Sequence, residues 1–501
     1  MHRSHRPAIR ALAVALAAVA LVSTATPAFA AISRTLVMQR AQRWVDVPIP
    51  YSPTAYRDLD GVTATVSTGW RTDCSGFVSM AWNTSKPGYS TRTLDDISDL
   101  VTKEALQPGD AMVAYDRHAV LFGGWADAAR TQYFAYEMSS GASKGTGDGT
   151  VMRVTPYPYW PSYYPNEFKP YRLRSITANI DYSQVITPIE GTNRYSTAVA
   201  ASASAFDTGT VDTVVIASGE DWPDALGAAA LAGAVDGPVL LTQRGALPTE
   251  VRREILRLGA SEVIVAGGEG AISSAVLAQL EEMEGVSARR IPGGDRYATS
   301  AAIARETVRL AETGGFDGTV FIATGENFPD ALAASPLAAA SGRPILLTEG
   351  DRLSAETSSA ISTMAAHRAV ILGGTGPVSS AVEASLTHVL ASGEVTRVAG
   401  RDRYETAASV AAMGVAECGL GYDGLAIATG EDFPDALAGG VMAARHGTVL
   451  MLTPSFRLHT RVSRILLERQ ATMGRPYVLG GESVLEPIVR EAIALALQVF
   501  E

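Results

Sequence analysis

The sequence predicts a multidomain protein in which one α+β domain is followed by three α/β modules, each built on a parallel sheet. Similar strings return three times in the second part of the chain, at intervals of roughly 105 residues. Short β-branched runs alternate there with longer helical patterns. The part that precedes the repeats contains none of these strings and is rich in Tyr, Trp and Pro, which indicates a domain of a different kind.

The composition describes a globular protein with an acidic balance. Hydrophobic residues make up 47% and charged residues 19% of the 501 positions, and this length favours three or four domains. The formal net charge of -11 argues against nucleic acid as a partner. An anionic polymer would have to be bound by local basic pockets, because the protein as a whole repels it.

Residues 1–30 have the pattern of a signal peptide. The basic stretch "MHRSHRPAIR" precedes the apolar run "ALAVALAAVALV" and the small-residue end "STATPAFA". This run is about a dozen residues long, whereas a membrane-spanning helix needs about 20. We therefore expect a secreted protein without a membrane span.

These patterns divide the chain into six segments. They are a signal peptide (1–30), the α+β domain (31–175), a linker (176–185) and the three repeats (186–288, 289–395 and 396–501).

The repeats are expected to be small α/β domains that pack side by side. In the first repeat, the apolar runs "VDTVVIASG", "PVLLT" and "SEVIVAGG" alternate with helical patterns. Continuous apolar strands between helices indicate a parallel sheet covered on both faces. Glycines follow the strands, but no copy has the G-x-G-x-x-G arrangement of a dinucleotide site or a phosphate loop, so tight turns explain them better than nucleotide binding.

Each repeat carries one Arg and one Asp at corresponding positions. The Arg lies in "NRY" or "DRY" and the Asp in "PDAL". The arginines are Arg194, Arg296 and Arg403, and the aspartates are Asp224, Asp330 and Asp435. Two interpretations remain open: a structural ion pair inside each module, or a polymer-binding site that is repeated three times.

Residues 186–501 resemble the type 2 cell-wall-binding repeat of secreted Gram-positive proteins. The resemblance rests on the three "RY", "PDAL" and glycine-turn strings. It implies that three modules pack compactly within one chain and bind an anionic secondary cell-wall polymer without a covalent bond. A "PILL" string associated with binding corresponds to "PVLL" from Pro238 and "PILL" from Pro344, whereas the third copy has "VLML" from Val449, which implies a degenerate third site.

Cys74 is the candidate nucleophile of the α+β domain. It follows Asp73, a favourable N-cap residue, so its sulfur lies in the first turn of a predicted helix "CSGFVSMAW", where the helix dipole favours a thiolate. The second cysteine, Cys418, lies at the end of a helix in another domain. We therefore expect no disulfide.

A histidine and an acid follow Cys74 at positions that suit a catalytic triad. His118 opens the strand "AVLFGGW", and the next strand, "TQYFAYEMS", presents Glu137 on one face. The histidine can act as general base, and Glu137 is the candidate that orients its ring. Asp127, in the preceding turn, and Gln132, on the opposite face, are the alternatives for the orienting role.

The strings "DCSGF" and "PGD", and the order Cys, His, polar residue, resemble the NlpC-like cysteine peptidases over residues 36–174. The resemblance implies a papain-like fold in which Cys74 is the nucleophile, His118 the base and Glu137 the orienting residue. Tyr51 corresponds to an active-site tyrosine that contacts substrate. The family hydrolyses amide bonds in peptidoglycan stem peptides, and neither a cofactor nor a metal is expected.

The aromatic stretch "VTPYPYWPSYYPNEFKPY" has two interpretations. It lines a substrate cleft, or it is an extended terminal segment that packs on the domain before the linker.

The sequence therefore predicts a secreted, wall-associated hydrolase of peptidoglycan stem peptides. The alternatives are a surface or adhesive protein without catalysis, and an acyltransferase or deamidase that uses the same triad.

Overall fold

The structure is a computed structural model that describes most of the chain. The described residues are 31–47, 49–127, 129–140, 148–160, 167–177, 181–311, 316–390 and 393–497. The predicted signal peptide lies outside them. Within these ranges, the helices are all too short or too polar to cross a membrane.

In the first part of the chain, the described residues form two helices, a 3-10 turn and ten short strands. The helices are α1 (Arg34–Asp46) and α2 (Cys74–Ala81), and the 3-10 turn is Leu94–Ile97. The strands are β1 (Ile32–Ser33), β2 (Ser52–Arg57), β3 (Trp70–Thr72), β4 (Ser98–Leu100), β5 (Ala111–Ala114), β6 (His118–Trp125), β7 (Gln132–Ser140), β8 (Asp148–Pro156), β9 (Lys169–Leu173) and β10 (Ile176–Thr177).

An antiparallel six-stranded sheet supports this part of the molecule, with the strand order β4-β9-β5-β6-β7-β8. Helices α1 and α2 pack against each other, and α2 lies on β6 and β7. Apolar side chains such as Trp44, Phe77 and Tyr136 fill the space between helices and sheet. The first turn of α2 is thereby placed over the two strands that carry His118 and Glu137.

The second part contains twelve strands and thirteen helices in the described residues. The strands are β11 (Thr187–Ile189), β12 (Thr213–Ser218), β13 (Val239–Thr242), β14 (Glu262–Ala266), β15 (Ser287–Ile291), β16 (Thr319–Thr324), β17 (Ile345–Thr348), β18 (Arg368–Leu372), β19 (Glu394–Val398), β20 (Gly421–Thr429), β21 (Thr448–Thr453) and β22 (Tyr477–Leu479). The helices are α3 (Arg194–Ala205), α4 (Ala228–Ala234), α5 (Thr249–Leu258), α6 (Ser274–Glu281), α7 (Arg296–Leu310), α8 (Pro329–Leu332), α9 (Ser335–Ser341), α10 (Ala355–Thr363), α11 (Ser380–Val389), α12 (Arg403–Glu417), α13 (Pro434–Arg445), α14 (Thr460–Arg469) and α15 (Pro487–Leu497).

Three four-stranded parallel sheets confirm the predicted α/β modules. Their strand orders are β13-β12-β14-β15, β17-β16-β18-β19 and β11-β22-β20-β21. Every residue of the central strands β12 and β16 is buried, which explains why the sequence shows continuous apolar runs there.

The sheets also close the three modules into a ring. In the first two sheets, the last strand (β15 or β19) comes from the segment that leads into the next repeat. In the third sheet, β11 from the start of the first repeat fills the corresponding position beside β22, with Thr187 paired to Tyr477. The first and last parts of the repeat region therefore share one sheet.

Small residues form the centre of this ring, where α4, α9 and α13 pack against one another. A Cβ atom on Gly233 would lie 2.1 Å from the carbonyl oxygen of Ala339. Only glycine permits this approach, which accounts for the Ala- and Gly-rich stretch "LGAAALAGA".

The first part of the chain contacts the third module. Thr35 on α1 donates a hydrogen bond to Glu491 on α15. The rings of Phe134 on β7 and Phe456 stack with their centroids 4.1 Å apart. The strand that carries Glu137 is thus also the strand that contacts the third module.

Candidate functional site

Cys74 is the first residue of α2, and its backbone is held by a capped helix start. Asp73 Oδ1 accepts a hydrogen bond of 2.6 Å from the Gly76 amide. Arg71 Nε donates to Asp73 Oδ2 at 2.7 Å. The predicted N-cap is confirmed, and Cys74 is buried with 7% of its surface exposed.

His118 begins β6, as the sequence predicts, and its ring bridges Cys74 and Glu137. It hydrogen-bonds to Cys74, and its Nε2 donates to Glu137 Oε2 over 2.8 Å. Burial alone lowers the pKa of His118, but the hydrogen bonds and charges of Cys74 and Glu137 outweigh it and raise the pKa to about 9. The imidazolium form is therefore favoured at neutral pH.

Glu137 is fully buried and lies among donors and cations. Besides His118, the hydroxyl of Tyr159 donates to its Oε2 over 2.8 Å, and the Arg153 guanidinium forms an ion pair with its Oε1. Burial on its own would raise the pKa of Glu137, yet its bond to His118, the charges of His118 and Arg153, and the Tyr159 hydroxyl lower it.

The two alternatives for the orienting residue lie elsewhere. Asp127 accepts hydrogen bonds from the Thr131 amide at 2.7 Å and from the Gln132 amide at 3.3 Å, so it caps the turn between β6 and β7. Gln132 is exposed at the start of β7. The structure brings Glu137, and neither of these residues, to His118.

Three residues at this site were missed by the sequence reasoning: Arg153, Tyr159 and Phe168. The rings of Tyr159 and Phe168 lie 5.5 Å and 6.3 Å from the His118 ring, measured between centroids. Both belong to the aromatic stretch between β8 and β9, whose residues 161–166 lie outside the described part. Tyr159 and Phe168 of this stretch thus pack against His118.

Tyr51 lies immediately before β2, next to the strand that leads to Cys74. Its neighbour Ser52 pairs with Thr72 on β3, whose hydroxyl donates to the Ser52 carbonyl at 2.9 Å. Tyr51 is half-buried against the core of this part of the chain. Its backbone position is therefore close to the helix start.

The arrangement has the parts of a nucleophilic site. A thiol, an imidazole and a buried carboxylate are connected in that order, which allows the imidazole to hold the thiol proton. Both cysteines are free thiols. Among the described residues, no group of three or more His, Cys, Asp or Glu side chains is arranged to hold a metal ion.

The recurring arginine of each repeat, in "NRY" or "DRY", connects the start of a helix to a turn at the end of a strand in its own module. The acceptors are the carbonyl oxygens of Gly219, Gly325 and Gly430. The corresponding distances from Arg194, Arg296 and Arg403 Nη1 are 2.5, 2.5 and 2.7 Å.

Of the two interpretations left open, the ion pair inside each module does not describe the arrangement, because every "PDAL" aspartate contacts the neighbouring repeat. Asp224 hydrogen-bonds to Thr299, and Asp330 to Thr406. Asp435 closes the ring on Thr197 of the first repeat. Burial is the main cause that raises the pKa of all three carboxyls, and that of Asp435 reaches about 6.

The arginines whose charges act on Asp224, Asp330 and Asp435 belong to the next module around the ring. These arginines are Arg296, Arg403 and Arg194, respectively. The two recurring residues thus meet at three clefts between repeats, and each cleft takes its Asp from one module and its Arg from the next.

The three clefts differ in what surrounds the arginine. Arg194 is 3.4 Å from Asp432, and Arg296 lies over the Trp222 ring at 5.4 Å from its centroid. In the cleft between the second and third repeats, Asn327 occupies the position of Asp432. This cleft has a volume of about 640 Å³ and is lined by both motifs, including Arg403 and Asp330.

Pro238 and Pro344 lie away from these clefts. Each is buried and immediately precedes the amino end of its strand, β13 or β17, and its carbonyl accepts from the neighbouring strand. The clefts lie at the carboxyl ends of the strands instead. Both prolines are therefore part of the hydrogen-bonded sheet. In the third repeat, β21 forms the equivalent strand without a proline.

Taken together, the repeats define a class of protein in which three α/β modules form a ring with a cleft at each junction. The chain belongs to the cell wall binding domain 2 family, whose model matches residues 189–277, 290–383 and 397–490. It therefore carries three copies of a cell wall binding domain.

Two curated relatives come from Bacillus subtilis (strain 168). The N-acetylmuramoyl-L-alanine amidase LytC is 33% identical over 278 residues, which cover 56% of this chain and 52% of LytC. The amidase enhancer is 31% identical over 261 residues, covering 52% of this chain and 34% of the enhancer. The chain thus spans about half or less of the length of these relatives.

Two solved structures from Clostridium difficile are similar. Cwp8 has a TM-score of 0.55 and 26% identity, over 63% of this chain and 52% of Cwp8. Cwp6 has a TM-score of 0.57 and 22% identity, over 78% of this chain and 63% of Cwp6, and this likeness concerns the fold alone.

Proposed function

We propose that this protein is a secreted, wall-bound hydrolase of peptidoglycan stem peptides, with an NlpC-like cysteine peptidase domain at residues 31–175. The observation that carries the proposal is the continuous contact from Cys74 through His118 to Glu137. A buried carboxylate that receives the second imidazole N–H is the arrangement that a cysteine nucleophile needs. The predicted signal peptide supplies the route of export.

The reaction begins from the state in which His118, as an imidazolium, already holds the proton of the Cys74 sulfur. The thiolate attacks the carbonyl carbon of an amide, and backbone N–H groups at the start of α2 stabilise the oxyanion. The imidazolium then protonates the leaving amine as the C–N bond breaks, which leaves an acyl-enzyme. Water, deprotonated by His118, hydrolyses the thioester and restores the thiol. Glu137 keeps the ring oriented and balances its charge throughout.

The substrate class follows from where the repeats place the enzyme. Modules that bind the cell wall concentrate the Cys74 site at peptidoglycan, whose stem peptides contain the amide bonds that this chemistry cleaves. LytC, by its name, also acts on an amide of peptidoglycan components. Tyr51, next to the strand that leads to Cys74, is the residue proposed to contact the stem peptide.

Anchoring is proposed to occur in the clefts between repeats, on an anionic secondary wall polymer. Arg194, Arg296 and Arg403 supply the local positive charge that an acidic protein needs for such a ligand. The cleft with Arg403 is the favoured one, because Asn327 leaves this arginine without the acidic neighbour that Arg194 has in Asp432. Pro238 and Pro344 support the sheets behind the clefts.

Incubation of the purified protein with peptidoglycan, followed by mass spectrometry of the released fragments, tests the proposal. Wild type should release cleaved stem peptides, Cys74→Ser should release none, and Cys418→Ala should match wild type. Both variants should still sediment with cell walls. Intact stem peptides with wild type would instead support a wall protein that binds without cleaving, and products joined to an added amine would support acyl transfer.

A further inference from the structure

Arg153 and Tyr159 contact the Glu137 carboxylate in addition to His118. Arg153 forms an ion pair with Oε1, while Tyr159 donates to Oε2, the same oxygen that receives the His118 N–H. Arg153 Nη2 also donates to the Tyr159 hydroxyl at 3.3 Å. The carboxylate is thus held on both of its oxygens.

The strand register explains how these side chains meet. On the antiparallel pair of β7 and β8, Ala135 pairs with Arg153 and Glu137 pairs with Val151. Glu137 and Arg153 therefore lie on one face as diagonal neighbours, and the small Ala135 side chain leaves room for the guanidinium. Tyr159 follows three residues after the end of β8.

We propose that Arg153 and Tyr159 are positioning residues that keep the Glu137 carboxylate ionised and aimed at His118, so that Cys74 is reactive at neutral and mildly acidic pH. The inference rests on the proposed function and extends it to two residues that act through Glu137.

Burial is the first argument for this role. A fully buried carboxylate tends to take up a proton unless a cation or several donors compensate for the lost water. If Glu137 were protonated, His118 would lose its charged partner. Arg153 provides the opposite charge within the same strand pair, and its side chain is only 14% exposed.

The contacts of Arg153 are directed to this site. In the described part of the chain, its Nε and Nη1 atoms are buried and have no hydrogen-bond acceptor. Burying a guanidinium in this way costs folding free energy, and the cost is compensated only through Glu137, Tyr159 and contact with the Trp160 ring. This pattern is typical of a functional network rather than of a surface ion pair.

The other titratable groups around Glu137 do not supply the missing charge. They are Cys74 and His118, which form the reacting pair, and the phenols of Tyr133 and Tyr159. Burial is the main cause that raises the pKa of Tyr133 and Tyr159, so both remain neutral donors. Arg153 is therefore the one permanent cation in contact with Glu137 among the described residues.

Alkylation of Cys74 by iodoacetamide tests the inference without any substrate. In a Cys418→Ala background, only Cys74 reacts, and its rate between pH 5 and 9 reports how much thiolate is present. We expect Arg153→Met to lower the rate at pH 6 at least tenfold, Arg153→Lys to restore most of it, and Tyr159→Phe to lower it about threefold. Tyr157→Phe is the matched control, because it removes a hydroxyl from the same turn without touching Glu137.

Melting temperatures, measured in parallel, separate positioning from packing. If Arg153→Met and Tyr159→Phe melted earlier but kept the wild-type pH profile of alkylation, the positioning role would be refuted. Should Arg153→Met not fold, Arg153→Lys and Tyr159→Phe decide the question by the same criterion, since both preserve the size of the side chain.

The same measurements distinguish this inference from the proposed function. A wild-type protein that alkylates readily at pH 6 but cleaves no muropeptide would contradict the hydrolase and still support the positioning residues, provided that the variants behave as expected. A wild-type rate that rises only above pH 8, as for an unassisted thiol, would overturn both.

Discussion

The Cys74 site and the clefts between repeats both bury a carboxylate, but they treat its charge in opposite ways. Glu137 is held by His118, Arg153 and a tyrosine hydroxyl, and these partners lower its pKa although burial would raise it. The "PDAL" aspartates hydrogen-bond to a threonine of the next module, and Asp224 also accepts from the Gly268 amide, yet burial raises the pKa of all three.

The two regions therefore differ in which charged group is available for function: the carboxylate at the Cys74 site and the arginine in the clefts. A buried carboxylate that must stay ionised needs cations in contact with it, as at Glu137. A carboxyl that joins two modules needs only hydrogen bonds, and the arginine near it is then available to a ligand. Experiments that remove one partner at a time should therefore affect activity at the first site, and assembly or wall binding at the second.

The largest effect is expected from Glu137→Gln. The substitution keeps the shape of the side chain but removes the charge that balances the imidazolium, so turnover should fall by about 10³-fold while the fold remains. Initial rates of muropeptide cleavage, with circular dichroism as the check on folding, measure this. Asp127→Asn is the control, and an equal loss with that variant would transfer the orienting role to the β6–β7 turn.

The raised pKa of His118 predicts a pH-dependent stability of the first domain. Its folded-state pKa of about 9 exceeds the ordinary value of 6.5, so the stabilisation is complete below pH 6.5 and is lost as the pH rises through about 9. The loss should be at most about 3 kcal/mol in the free energy of unfolding.

Tryptophan fluorescence during urea unfolding can follow this domain, since five of the six tryptophans precede residue 176. His118→Gln should be less stable than wild type at pH 6.5 and should show little further loss up to pH 9.5. Equal slopes for the two proteins would mean that His118 does not carry the pH dependence.

The clefts should differ in their contribution to wall binding. Arg403→Ala should weaken sedimentation with cell walls about tenfold, which corresponds to about 1.4 kcal/mol for a charge-assisted contact. Arg194→Ala should have a smaller effect, because Asp432 already neutralises that guanidinium. The Arg403 variant should also reduce the salt sensitivity of binding.

Asn327→Asp provides the reciprocal test. It places an acid beside Arg403 at the position that Asp432 has beside Arg194. Wall binding should therefore weaken although no arginine is lost. If the three arginine variants bound equally well and only melted earlier, the arginines would be structural, and the polymer would have to contact another surface.

Local patterns were sufficient to predict several parts of the site. The N-cap of Asp73, the position of His118 at the start of β6 and the face of Glu137 on β7 all follow from periods of a few residues. The parallel sheets of the repeats follow in the same way from apolar runs between helices.

Contacts between distant segments could not be predicted in this way. The meeting of Arg153 with Glu137 depends on the pairing register of β7 and β8, which the sequence does not specify locally. The contact of Asp435 with Thr197 depends on the closure of the ring, which joins the two ends of the repeat region. The sequence therefore identified Glu137 and Asp435 as candidates, but it did not indicate that Arg153 and Thr197 would contact them.

The smallest effect is expected at Asp435, where the ring closes. Its folded-state pKa of about 6 lies above the ordinary value of 3.8, mainly because of burial and also because of the nearby charge of Asp432. A raised carboxyl pKa means that protonation stabilises the fold, so stability should rise as the pH falls from 7.5 through 6 and level off near 3.8. Asp435→Asn removes the charge and keeps an oxygen that can accept from Thr197. It should therefore raise the stability of the repeats at pH 7.5 by on the order of 1 kcal/mol and abolish the gain on acidification.

Thermal unfolding at pH 5.5 and 7.5, followed by circular dichroism, measures both effects, with the exposed Asp236→Asn as the control. A lower melting temperature of Asp435→Asn at pH 7.5 would show that the attraction of this carboxylate to Arg194 outweighs its burial, and the contrast with Glu137 would then disappear.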